Sequence, residues 1–250
     1  MREKFECKRD GLTIRGYVWG GMAGKKPAVV LSHGFLANWK MCKTYAEELE
    51  KLGYVCFAYD FCGGGIKCSS DGEQKDMTVR TEVKDLLAVV DYVKSRKDVD
   101  ENRITLLGCS QGGYVSAMTA AENPGLAEKL VLFYPALCIP DDARSGHMMF
   151  YKFDPKNIPD LLGKFPMKLG GDYARTVVDR DPFEQITGYE GPVLLLHGTK
   201  DKIVNISYSE RAAKCYPDCR FEIIEKGAHG FKGKYDRKAI EILKEFMALH

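Results

Sequence analysis

Over most of this 250-residue chain, apolar positions fall into short continuous runs instead of alternating with polar ones. Pro27 to Ser32 (PAVVLS), Tyr54 to Tyr59 (YVCFAY), Arg103 to Leu107 (RITLL), Lys129 to Phe133 (KLVLF), Pro192 to Leu196 (PVLLL) and Arg220 to Ile224 (RFEII) are runs of this kind. A strand covered on one face needs a polar side; a strand covered on both does not, so these runs predict a parallel sheet between helical layers. Residues 4–9 and 12–19 differ. They flank the turn-forming pair Asp10-Gly11 and, with Leu12, Ile14, Tyr17 and Trp19, predict a short antiparallel pair.

Between the runs, the spacing predicts helices at Lys40 to Leu52, Val79 to Ser95, Gly113 to Glu122, Ser207 to Cys215 and Lys234 to Leu249. In the second of these, Val83, Leu86, Leu87, Val90 and Val93 share one face, which reads as core and not as a binding stripe. Strand and helix alternate, so the expected fold class is α/β with an open, mostly parallel sheet flanked by helices. The rhythm breaks from about Ala136 to Gln185, where Pro140, Pro155, Pro159, Pro166 and Pro182 interrupt a stretch without long periodicity. A structureless loop of that length is improbable inside a compact domain. Residues 136–185 are therefore expected to form a cap over the sheet's carboxyl edge, with 1–135 and 186–250 as the core domain.

Composition narrows the function classes. With 37 basic and 35 acidic residues, no long-range field recruits nucleic acid or anionic lipid, so neither is expected as a partner. A small, roughly neutral substrate is expected, and a second copy of the chain is the macromolecular partner left open. Met1 to Asp10 is polar where a secretory signal would be apolar, and no run of about 18 apolar residues occurs, so a soluble cytoplasmic protein is expected. The nine cysteines show no CxxC spacing, which favours reduced thiols over a zinc site or disulfide framework.

The candidate chemistry begins at Gly108-Cys109-Ser110-Gln111-Gly112, a G-x-S-x-G pattern directly after a predicted strand and before a predicted helix. A serine on such a tight turn can present its hydroxyl outside the fold, and the flanking glycines allow close backbone approach. The hydroxyl is a poor nucleophile until a base takes its proton, so a histidine oriented by a carboxylate is required. The order Ser, acid, His is met by Asp201, after PVLLL, and His229, after RFEII. Among the other histidines, His250 is terminal, His147 lies in the expected cap, and His33 and His197 stand just past strand ends where they would brace loops. Asp179 and Asp181 are reserve acids, but they precede the relevant strand. Two backbone N–H groups, those of Gln111 and Phe35, are the expected donors to a tetrahedral oxyanion. The glycine-rich Asp60 to Gly65 stretch lacks both the GxGxxG spacing and a P-loop lysine, so no nucleotide is expected; Cys109 reads as packing.

HGF at His33 to Phe35, the elbow ending at Gly113, LLHGTKD at Leu195 to Asp201 and GAHGF around His229 are shared with many hydrolases. Together with Lys152 to Asp160 (KFDPKNIPD) and Leu169 to Tyr173 (LGGDY), they make the chain similar to the bacterial cinnamoyl (feruloyl) esterases, a capped branch of the α/β-hydrolases. The resemblance implies a cofactor-free, metal-free enzyme that releases hydroxycinnamic acids from their esters. It also implies that Asp142 and Tyr173 hydrogen-bond the phenolic hydroxyls of a small aromatic ester substrate. The sequence departs from the pattern in the Asp60 to Ser70 loop, whose FCGGGIKCSS leaves the rim undefined. Other readings are a general short-chain acyl esterase or acylglycerol lipase, a serine peptidase on the same framework, and a catalytically silent binding module.

Overall fold

The computed structural model describes residues 2–21 and 24–249; Met1, Met22, Ala23 and the terminal His250 lie outside the described residues. The chain opens with β1 (Arg2–Arg9) and β2 (Leu12–Trp19), paired antiparallel around Asp10 and Gly11, both in left-handed backbone. β3 (Lys26–Ser32) follows, then a 3-10 turn at Trp39–Cys42, α1 (Lys43–Lys51), β4 (Val55–Tyr59), α2 (Val79–Lys94), β5 (Val99–Cys109), α3 (Gln111–Glu122) and β6 (Lys129–Phe133). The predicted helix from Lys40 thus begins with a tighter turn, because the Asn38 side chain accepts from the Lys40 N–H at 3.1 Å and caps it there.

After β6 come α4 (Ile139–Arg144), β7 (His147–Met148), β8 (Tyr151–Lys152), β9 (Leu161–Gly163), β10 (Leu169–Gly170), α5 (Asp172–Arg175) and α6 (Pro182–Ile186). None of these joins the main sheet; β7 pairs only with β8, and β9 only with β10. The chain returns with β11 (Val193–Gly198), α7 (Ser207–Ala212), β12 (Cys219–Ile224) and α8 (Lys234–Leu249). The eight-stranded sheet runs β1-β2-β4-β3-β5-β6-β11-β12 and is parallel from β4 to β12.

The continuous apolar runs are explained residue by residue. Ala28, Val30, Leu106, Leu130 and Leu195 join a core with Val83 and Leu86 of α2 and Val115 and Met118 of α3. Their neighbours Val29, Leu31, Leu107, Val131 and Leu194 join the opposite core with Leu49 of α1 and Phe246 of α8. Successive side chains on a strand point to opposite faces, so a strand between two helical layers is apolar at most positions, with Thr105 and Lys129 as buried exceptions. Parallel strands also end at one common edge, and the loops leaving that edge carry the groups described next. Among the described residues, no helix is long and apolar enough to cross a membrane.

Candidate active site

β5 is held between β3 and β6, with Gly108 opposite Ser32 and Cys109 opposite Phe133. The next residue, Ser110, turns out of the ladder at φ 55° and ψ −120°. That backbone costs a non-glycine residue about 1–3 kcal/mol and persists only where the surroundings over-determine it. Here the Ser110 N–H donates to Phe133 O at 2.9 Å, and Ser110 O accepts from the N–H groups of Gly113 and Ala136, each at 2.9 Å. The motif glycines serve close packing: a Cβ on Gly108 would stand 2.2 Å from Gly112 O, and one on Gly112 would stand 2.4 Å from Ser32 O.

The other two residues arrive from the loops after β11 and β12. Ser110 Oγ lies 2.9 Å from His229 Nε2, and His229 Nδ1 lies 2.7 Å from Asp201 Oδ2. The two loops are tied to each other, since the Lys200 N–H donates to Gly227 O at 2.8 Å. Asp201 Oδ1 accepts from the N–H groups of Ile203 at 2.8 Å and Val204 at 2.9 Å. His197 completes its surroundings, with Nε2 3.2 Å from Asp201 Oδ2 and 3.0 Å from Val204 O. Both of those atoms are acceptors, so Nε2 carries the ring proton and Nδ1 accepts from the Ser209 hydroxyl at 2.7 Å. Burial alone would raise the Asp201 carboxyl, but the hydrogen bonds from His197, His229 and the backbone hold it far below the ordinary carboxylate range. An ionised acid on Nδ1 fixes the His229 tautomer that leaves Nε2 free to accept the Ser110 proton.

His197, read from sequence as a loop brace, therefore also contacts the acid. Tyr134, which sequence reasoning passed over, packs its ring at a tilt with its centroid 4.7 Å from that of His229 and confines the imidazole. His33 braces its loop: Nδ1 donates to Gly34 O at 2.8 Å, and Nε2 accepts from the Phe61 N–H at 3.1 Å. His33, Asp60 and Cys68 bring possible ligand atoms within 4.8 Å of one another. Asp60 is already committed to the N–H groups of Trp39 and Ser69, each at 2.7 Å, so this cluster is a loop brace and a poor metal cage. Asp179 lies on the rim of a cavity of about 620 Å³ with Arg80, Glu122, Arg175 and Arg180, away from Ser110. Asp181 caps α6 by accepting from the Phe183 N–H at 2.7 Å.

Ser110 and His229 open onto a cavity of about 140 Å³ shared with Phe35, Gln111, Asp142, Tyr173, Ile139, Met148, Met149, Ile203 and Val204. All four residues expected as oxyanion donors or substrate binders thus meet one space, while Asp201 stands behind His229. The loop after β3 passes directly over the serine: a Cβ on Gly34 would be 3.0 Å from Ser110 Cβ. Gln111 is the first residue of α3, so its N–H has no partner inside the helix. Burial raises the Asp142 carboxyl, against the Cys138 thiol and the His147 charge. Tyr173 is buried, and its hydroxyl donates to Gln111 Oε1, so only its oxygen lone pair remains available to a ligand. The Asp60 to Ser70 loop, undefined in sequence, is fastened to the Phe35 loop by a bridge between Leu36 and Gly65.

The Hydrolase_4 family model, described as serine aminopeptidase, S33, matches residues 23–182, a span that includes Ser110 and ends before Asp201 and His229. The fold is similar to the ferulic acid-bound structure of Est1E from Butyrivibrio proteoclasticus, with a TM-score of 0.90, 30% identity and 98% of each chain covered. The sequence is similar to the mitochondrial palmitoyl-protein thioesterase ABHD10 of Mus musculus, 29% identical over 86% of this chain and 73% of that protein. It is also similar to the monoglyceride lipase of Rattus norvegicus, 30% identical over 62% of this chain and 50% of that protein.

Proposed function

Because the chain belongs to the Hydrolase_4 family and has the α/β-hydrolase fold, we propose that it is a serine carboxylic-ester hydrolase that releases hydroxycinnamic acids from their esters. The single observation carrying the reading is the hydrogen-bonded chain Ser110–His229–Asp201 opening on a small mixed cavity. In this mechanism Ser110 Oγ attacks the ester carbonyl while His229 Nε2 takes its proton. The carbonyl oxygen becomes an oxyanion and accepts from the N–H groups of Phe35 and Gln111, each such donor being worth roughly 100- to 1,000-fold in rate. His229 returns the proton to the departing alkoxide, which leaves as the alcohol. Water, deprotonated by His229, then attacks the acyl-enzyme and frees the acid and Ser110.

The acyl preference rests on cavity size and lining. At about 140 Å³ the space is well below the roughly 300–1,000 Å³ of pockets that bury drug-sized ligands, which favours a flat ring over a long alkyl chain. Asp142 and the Tyr173 oxygen are the groups that would accept from a ring hydroxyl among otherwise apolar walls. Short-chain esters, acylglycerols and aminoacyl amides would use the same three groups, so their relative rates decide specificity. The decisive experiment assays methyl ferulate, a short aliphatic ester and an aminoacyl amide with the wild type and Ser110→Ala. The feruloyl ester should be turned over fastest, and the variant should lose roughly 10⁵- to 10⁶-fold in kcat. Turnover retained by Ser110→Ala would refute the mechanism.

A further inference from the structure

α2 carries a carboxyl group at a position where the interior calls for an apolar side chain. Glu82 is fully buried, and its Oε2 accepts from Gln111 Nε2 at 2.7 Å. The other end of that amide, Gln111 Oε1, accepts the Tyr173 hydroxyl. The three side chains therefore form one line across three elements, from α2 through the first residue of α3 to α5 in the 136–185 segment. Glu82 Oε1 has no hydrogen-bond partner among the described residues, and it faces Gly64 so closely that a Cβ there would stand 3.0 Å away. An orphaned buried polar atom destabilises a fold, so the carboxyl is not there for stability alone. Desolvation raises its pKa well above the ordinary carboxyl range, and Asp85 adds to the rise against the Gln111 hydrogen bond. Burial thus favours the neutral acid beside Gln111.

We propose that Glu82 is a positioning residue: its carbonyl oxygen sets the orientation of the Gln111 amide, which holds Tyr173, and with it one wall of the acyl cavity, against the nucleophile helix. The inference rests on the esterase reading above. Gln111 supplies a main-chain N–H to the oxyanion, and its side chain is tethered at both ends, so the tether also restrains the frame that aims that N–H. Glu82 does not line the cavity and is sealed from solvent, so it acts through Gln111 and exchanges no proton with substrate. What the site needs from it is an acceptor of the right shape at Oε2.

That distinction sets the test. Glu82→Gln keeps a carbonyl acceptor, while Glu82→Leu keeps volume and removes it. Rates on methyl ferulate are counted per Ser110 labelled by a fluorophosphonate, so that loss of folded protein does not enter. Glu82→Leu should lower kcat on the order of 10- to 100-fold with a smaller change in KM. Glu82→Gln should recover kcat to within about threefold of wild type. Adding Tyr173→Phe to Glu82→Leu should cost less than Tyr173→Phe costs in the wild type, because the line is already broken. Should Glu82→Leu fail to fold, Gln111→Met, which keeps the main-chain donor and removes the tether, should show the same loss in kcat. Wild-type kcat per labelled site in Glu82→Leu or Gln111→Met, or a Glu82→Gln as poor as Glu82→Leu, would overturn the proposal. A wild type that neither labels nor hydrolyses the ester would instead overturn the esterase reading.

Discussion

The two sides of the cavity are built by opposite means. On the sheet side, Asp201 is held by two imidazoles and two backbone N–H groups, on a loop locked to the His229 loop and fed by parallel strands. Across the cavity, the 136–185 segment consists of helices and strands of two to six residues and leaves Phe150 65% and Phe165 86% exposed. Proton transfer needs geometry fixed to a fraction of an ångström, which only an over-determined scaffold supplies. The wall that would meet a ring is held here by single buried side chains such as Met148, Tyr151, Leu169 and Tyr173, which no strand of the main sheet carries.

The comparison is tested most severely at the acid. Asp201→Asn should lower kcat about 10⁴-fold with little change in fold, because the amide favours the wrong imidazole tautomer. Steady-state kinetics on methyl ferulate would measure it, and a loss under tenfold would show that the sheet side is not where the chemistry is set. The same variant has a pH signature. The Asp201 carboxyl is depressed in the folded state, so its stabilisation is fully present above the ordinary carboxylate range and drains as pH falls through the depressed value. The melting-temperature gap between wild type and Asp201→Asn should therefore hold from about pH 7 to about pH 5 and narrow as pH falls further.

Stability separates the regions next. Leu195→Ala, in the fully buried centre of β11, should cost about 2–5 kcal/mol and lower Tm by roughly 5–20 °C. Phe165→Ser, at the outer surface of the 136–185 segment, should stay within about 0.5 kcal/mol. If calorimetry gave the two substitutions equal effects, the contrast between scaffold and insertion would fail.

What the sequence could reveal follows the same division. Continuous runs such as PVLLL and KLVLF are legible because both faces of a central strand must be apolar, and the order of Ser110, Asp201 and His229 is legible because each follows such a run. The short elements of 136–185 leave no period to detect, so the break in rhythm, its prolines and the resemblance of Lys152 to Asp160 and Leu169 to Tyr173 to a family cap mark the segment. Glu82 and Asp85 were invisible for another reason. A carboxylate in a helix reads as solvent-facing, yet these two lie on the buried face beside Val83 and Leu86, held by Gln111 and by Arg9 at 2.7 Å respectively. Such partners come from distant elements, which a local pattern does not contain. Tyr173 was singled out as a group for the substrate; that its hydroxyl donates to Gln111 depends on the amide's orientation, a tertiary matter.

β6 and β11 are neighbours in the sheet, Leu130 facing Val193 and Phe133 facing Leu196, although the whole insertion lies between them in sequence. The excursion leaves the carboxyl end of one strand and rejoins at the amino end of its parallel neighbour. No strand of 136–185 pairs with the main sheet, so the ladder's register is independent of what the chain builds between β6 and β11.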